Sequence, residues 1–235
     1  MNRRIDHDPY FPWSHLGLRA NPFQSLNRAD WLEIAWLPAQ LAAWLEQPTA
    51  VLQILGEKGS GKTSALLAIS RTLRQQHYQT SYVYLPADEP HPELEPLKDG
   101  VLIVDEAQRL SRQARKRLFT SAQMKTQQRV TAPRLIYSSH EDFLTSSVQD
   151  SNDFVTYTLH GLNVHDLVGL LDRRVQFFAS GEDCKVHFEP EAIDFLISTF
   201  LSDLRAMEAY LYDFFQAIPA EPQIKADTLQ EFNGR

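Results

Sequence analysis

Ala50-Val-Leu-Gln-Ile-Leu55, then Gly56-Glu-Lys-Gly-Ser-Gly-Lys-Thr63, then Leu66, Leu67, Ile69 and Leu73 at helical spacing: this stretch decides the fold. The first piece is a short apolar run stopped by a glycine and reads as a buried strand, and the last reads as a helix. Between them stands G-x-x-x-x-G-K-[ST] in full, in the strand-before, helix-after setting that gives the motif its meaning. Glycines let the backbone curl so that successive N–H groups face inward, and the following helix adds its positive N-terminal end. The product is a cradle for a polyphosphate. On this reading Gly56, Glu57, Lys58, Gly59, Ser60, Gly61, Lys62 and Thr63 bind the phosphates of ATP. Lys62 reaches the β- and γ-phosphates, and the Thr63 hydroxyl meets Mg²⁺.

Val101-Leu-Ile-Val104 is a second fully apolar strand, and it ends at Asp105-Glu106. Such a strand holds a carboxylate rigidly at its C-terminal end, where ligands bind in open α/β sheets. An acidic pair after a strand is ordinarily a solvated turn; beside a complete P-loop it acquires a role. Asp105 is assigned to Mg²⁺, and Glu106 to orienting and deprotonating an attacking water. That placement argues for hydrolysis over transfer to a substrate hydroxyl, as in a P-loop kinase. The chain has no Asn-Lys-x-Asp run to read guanine, which argues for ATP over GTP.

Further strands are expected at Thr80–Leu85, Leu135–Ser138 and Phe154–Leu159, and further helices at Pro38–Gln47, Ser111–Met124 and Glu141–Val148. Four prolines between Pro86 and Pro96 exclude a helix there. From Val164 onward strands give way to helices near Val164–Ala179, Glu189–Phe200 and Asp203–Ile218. Strands alternating with helices imply an α/β fold with a parallel sheet, and the closing helical run implies a separate small lid. The expected organisation is an N-terminal arm and helix over 1–48, a P-loop core over 49–161, a helical lid over 162–218 and a polar tail over 219–235.

The 43% apolar share is enough to fill a core, while no apolar run is long enough to span a membrane. Two arginines near the start have no apolar run behind them, so no secretory signal is expected. The single Cys184 excludes an internal disulfide framework and fits a cytoplasmic location, and the scattered histidines show no zinc-ligand spacing. The net charge of −7 conceals a block, 107–134, with eight Lys or Arg and no acid. Arg112, Arg115 and Lys116 are the candidates there for contact with a DNA or RNA backbone. Arg117 is set aside because it adjoins the apolar stripe of Leu110, Ala114 and Leu118. A solvated helix face and an inter-subunit face remain open alternatives. No aromatic platform is interleaved, so sequence-specific base reading is not suggested.

The strand and P-loop, the acidic pair and the helical tail together resemble the AAA+ ATPases. Gly17-Leu-Arg-Ala-Asn-Pro-Phe23 and Asp105-Glu-Ala-Gln108 are similar to a bacterial group of secretion-associated, transposition-targeting and helicase-loader-like ATPases. The likeness covers residues 16–217. It implies a five-stranded sheet in the order 5-1-4-3-2, a helical lid, a protein partner and nucleotide-dependent homo-oligomers. It also implies a polar γ-phosphate sensor at the end of the fourth strand, placed at Ser139, and a lid arginine at Arg205. The alternative for Arg205 is a surface pair with Glu208. Two departures stand out. No Arg or Lys lies between Arg134 and Arg173, where a trans-acting arginine finger belongs, which leaves Arg129, Arg134, Arg173 and Arg174 as substitutes. The proline-rich segment stands where a helix is usual. A nucleotide-gated adaptor with negligible turnover is therefore the competing reading.

Overall fold

The computed structural model describes residues 12–46, 51–88, 93–97, 100–125, 135–143, 154–181, 184–217 and 219–233, the side chains of 123–125 excepted. In chain order the elements are α1 (Arg28–Ile34), α2 (Ala39–Leu45), β1 (Val51–Gly56), α3 (Lys62–Gln75), β2 (Gln79–Tyr84), β3 (Gly100–Asp105) and α4 (Arg112–Lys125). There follow β4 (Leu135–Ser139), β5 (Phe154–Leu159), α5 (Val164–Phe177), β6 (His187–Phe188), α6 (Pro190–Phe200), α7 (Leu204–Gln216), β7 (Gln223–Ile224) and α8 (Ala226–Asn233). Chain contacts divide the protein into two units, Leu37–His160 and the remainder.

The first unit holds a five-stranded sheet in the order β2-β3-β4-β1-β5, every pair parallel. This is the expected 5-1-4-3-2 order. Side-chain alternation along the inner strands builds two cores. Leu52, Ile54, Val101, Ile103 and Ile136 pack with Leu66, Ile69 and Leu73 of α3 on one face. Val51, Leu102, Val104, Leu135 and Tyr137 pack with Leu118 and Ala122 of α4 on the other. Inner strands covered on both sides read as unbroken apolar runs, which is why they were visible in the sequence. Gln53 is the polar exception in β1. Its amide donates to Asp142 and Thr156 and accepts from Tyr137 Oη and the Phe143 N–H, so a fully buried polar group is well satisfied. Of the helix expected over Glu141–Val148, residues 141–143 are not helical and the rest lies outside the described residues.

The second unit contains the helices α5, α6 and α7 close to their expected bounds, but two expectations need correction. The stretch after Ile218 is not merely a polar tail. Gln223–Ile224 pairs in parallel with His187–Phe188, and α8 buries Leu229. Strands therefore do return after Val164, as a two-stranded sheet too short for periodicity to reveal. The N-terminal segment is likewise more than an arm. It contains α1, capped by the Asn27 side chain on the Asp30 N–H, and its apolar residues join the helical core. Trp13 Nε1 donates to Phe215 O at 2.9 Å, and the buried Asn21 amide donates to Tyr212 O at 2.9 Å. Asn21 Oδ1 also accepts from the Phe23 N–H, so the Asn-Pro-Phe turn seats Phe23 against Phe188 and Phe215.

Candidate active site

The P-loop links β1 to α3 and uses its glycines physically. Gly59 and Gly61 both sit at φ +90°, in the left-handed region that costs other residues about 1–2 kcal/mol. A Cβ on Gly56 would fall 2.4 Å from Ser60 Oγ and 3.2 Å from Leu159 O. Lys62 opens α3 and is buried; its ammonium donates to Gly56 O at 2.9 Å and Glu57 O at 2.7 Å, with His140 Nδ1 at 3.4 Å. Ser60 Oγ is buried with no hydrogen-bond partner among the described residues. A buried hydroxyl left unsatisfied inside a glycine loop is the condition that a phosphate oxygen would relieve.

Asp105 ends β3, fully buried. Its Oδ2 accepts from Thr63 Oγ1 at 2.8 Å and Tyr82 Oη at 2.9 Å, and its Oδ1 accepts from Ser138 Oγ. Three hydroxyl donors compensate a carboxylate taken out of water. Thr63 and Asp105, the two residues assigned to Mg²⁺, thus converge on one point, and their hard oxygen donors suit that ion. Glu106 leaves the strand with φ +68°, and its N–H donates to Ser138 Oγ at 2.9 Å. Its Oε2 accepts from Gln108 Nε2 at 2.6 Å, forms an ion pair with Arg109 at 3.2 Å, and lies 3.8 Å from His140 Nε2. Arg109 also donates to Tyr84 Oη and to Leu85 O. The hydrogen bond to Tyr84, with the nearby Glu106 charge, holds the guanidinium pKa above its ordinary value against the lowering effect of desolvation.

Strand parity sorts the residues at the end of β4. Ser138 shares a face with Ile136, toward α3 and Thr63, and its hydroxyl joins Asp105 to the Glu106 backbone. Ser139, chosen from the sequence, has the opposite parity, and its Oγ accepts locally from the Glu141 N–H. His140, one residue on, stands between Lys62 and Glu106. Ser138, Tyr82 and His140 were missed, and alternation along the strand would have selected Ser138. Ser138→Ala strands two buried polar groups and should destabilise the chain by about 2–4 kcal/mol, against about 1 for Ser139→Ala. Urea denaturation of both variants checks this, and a reversed ranking would refute the assignment.

Arg205 lies in the other unit, exposed in the first turn of α7. Glu208, its suggested surface partner, instead binds Arg174 at 2.7 Å. Arg174 is buried over Trp31 and is thereby removed from the substitutes for an arginine finger. Arg173 packs over the Trp36 ring, while Arg129 and Arg134 lie outside the described residues. The basic block also divides. Arg112 and Lys116 are exposed on α4, whereas Arg115, grouped with them from the sequence, turns in over the Phe143 ring at 4.1 Å and pairs with Glu141. Arg117, set aside earlier, is exposed and pairs with Glu93 at 3.1 Å.

No protein-family profile matches the chain, and no curated protein does. Solved structures do match. A RuvB variant from Thermotoga maritima aligns with a TM-score of 0.51 at 18% identity, over 79% of this chain and 61% of that one. The replication initiator DnaA bound to AMPPCP and single-stranded DNA aligns with a TM-score of 0.50 at 14% identity, over 83% and 67%. This chain has the AAA+ fold. It spans about three fifths of the RuvB chain, and at such identities the likeness is one of architecture. Within the AAA+ fold, the P-loop, Asp105-Glu106 and Ser138-Ser139-His140 lie at the C-terminal ends of β1, β3 and β4, which are neighbours in the sheet. Among the described residues no helix is long and apolar enough to cross a membrane, and no cluster of metal-ligating His, Cys, Asp or Glu occurs.

Proposed function

We propose that this chain is an ATPase that couples ATP binding and hydrolysis to the assembly or remodelling of a nucleic-acid-associated partner in the cytoplasm. The observation that supports it best is the convergence of Thr63 and Asp105 at 2.8 Å beside Lys62, with Glu106 next in line. Lys62 and the loop amides would hold the β- and γ-phosphates, and Thr63 and Asp105 would hold Mg²⁺, which supplies charge neutralisation when bound. Glu106 would take a proton from water at its carboxylate. His140, lying between Lys62 and Glu106, fits the γ-phosphate-facing role better than Ser139. Arg205, exposed on the lid, is proposed to meet the γ-phosphate from that side. Arg112 and Lys116 are proposed to meet a DNA or RNA backbone, and homo-oligomer formation to depend on ATP.

The adaptor reading has one observation in its favour: Glu106 is tied to Gln108 and Arg109 rather than standing clear. ATP turnover and oligomer size, measured with and without DNA across a salt series, separate the readings. The ATPase reading expects turnover that DNA stimulates, with DNA affinity falling steeply as salt rises. Tight ATP binding with no turnover under any of these conditions would leave the adaptor. Limited proteolysis of Arg205→Ala should show a reduced contrast between the ATP and ADP protection patterns, and an unchanged contrast would remove Arg205 from the site.

A further inference from the structure

We propose that the acidic, proline-rich segment between β2 and β3 is a strap that masks the basic helix α4, with Glu93 occupying Arg117 in place of a nucleic-acid phosphate. The inference rests on the nucleic-acid reading of α4 above and adds the device that regulates it. The sequence supplies two complementary stretches. Residues 86–99 carry Asp88, Glu89, Glu93, Glu95 and Asp99 against the single Lys98, whereas 107–134 has no acid at all. The fold brings the two together. Glu93 Oε1 accepts from Arg117 Nη1 at 3.1 Å. The next residue, Leu94, packs on the core cluster to which α4 contributes Leu118 and Ala122, and Pro96 is buried.

Three features make this contact a mask and not a permanent brace. The Arg117 side chain is 65% exposed and that of Glu93 90%, so the pair contributes little to stability and exchanges readily with other ions. A carboxylate and a phosphate compete for the same planar guanidinium fork. Leu94 and Pro96 keep the Glu93 carboxylate beside the helix, which gives it a high effective concentration there. The strap can therefore yield to a polyanion and return when the polyanion leaves. Arg112, Lys116 and Arg117 are all exposed on α4, and at 3.6 residues per turn they share an arc of about 140°. Displacing Glu93 adds a third cation to the two already proposed to meet a nucleic-acid backbone.

The test is a titration of labelled duplex DNA with the full chain and Mg-ATP, repeated over a salt series. Glu93→Gln should bind about three- to tenfold tighter than wild type at low salt. Its salt slope should steepen by about one unit, the increment expected of one more phosphate contact. Removing any acid favours a polyanion somewhat, so the deciding variant is the double one. In an Arg117→Gln background the same Glu93→Gln change should have no effect, because its gain comes through the arginine it frees. Thermal unfolding checks that these surface substitutions leave the fold intact. Equal affinity of Glu93→Gln and wild type would overturn the mask, and so would a gain that persists in the double variant. Absence of binding in the wild type and every variant would overturn the nucleic-acid reading of α4, on which the mask depends.

Discussion

Glu106→Gln is expected to bind ATP as the wild type does and to lose turnover by about a hundred- to ten-thousandfold. The substitution preserves size and shape and can keep a contact with Gln108, so the turn after β3 should survive. What disappears is the acceptor for the proton of water. The backbone of residue 106 remains fixed by its N–H bond to Ser138, which isolates the chemical change from a structural one. Equilibrium binding of a fluorescent ATP analogue, paired with phosphate release, measures both halves. Wild-type turnover in this variant would show that another group is the base; failure to bind nucleotide would show that Glu106 belongs to the cradle.

Lys62→Ala should act on the opposite half of the cycle. Its ammonium is buried and held by two loop carbonyls, so it is presented at the mouth of the P-loop on a stem that cannot easily swing away. Charge-assisted hydrogen bonds to two phosphate groups contribute about 1.5–3 kcal/mol each, so affinity for ATP should fall about 10²–10⁴-fold. The variant also deprives Gly56 O and Glu57 O of a donor, and thermal unfolding without nucleotide distinguishes a loosened loop from a lost ligand contact. Affinity within a few-fold of wild type, in a folded variant, would remove the phosphate role from Lys62.

Much of this site was legible because its parts are local. The P-loop is a continuous run whose glycines, lysine and threonine act through their own backbone and the next helix, and the structure bears out the strand, turn and helix around it. The parallel sheet was legible for a similar reason: inner strands buried on both faces leave apolar runs, and Gly56 and Asp105 mark where two of them stop. The helices of the second unit showed themselves by their buried faces, as with Leu204, Met207 and Leu211 in α7.

The remaining features needed the third dimension. Ser138 rather than Ser139 joins Asp105 because β4 lies beside β3 with a particular parity, and neighbours in a parallel sheet come from distant parts of the chain. Tyr82 reaches the same carboxylate across a strand pairing. The basic block divides because Arg115 finds an aromatic ring to cover and Arg112 does not, a matter of packing that charge counting cannot see. The terminal segment folds because Ile224 and Leu229 have a core to enter, although their own sequence is mostly polar. The sequence by itself determined the runs of residues proposed for nucleotide chemistry, since the members of each run stand close together along the chain. The tertiary structure alone decided which side chains orient that chemistry, since hydrogen-bond partners are chosen by strand order and register.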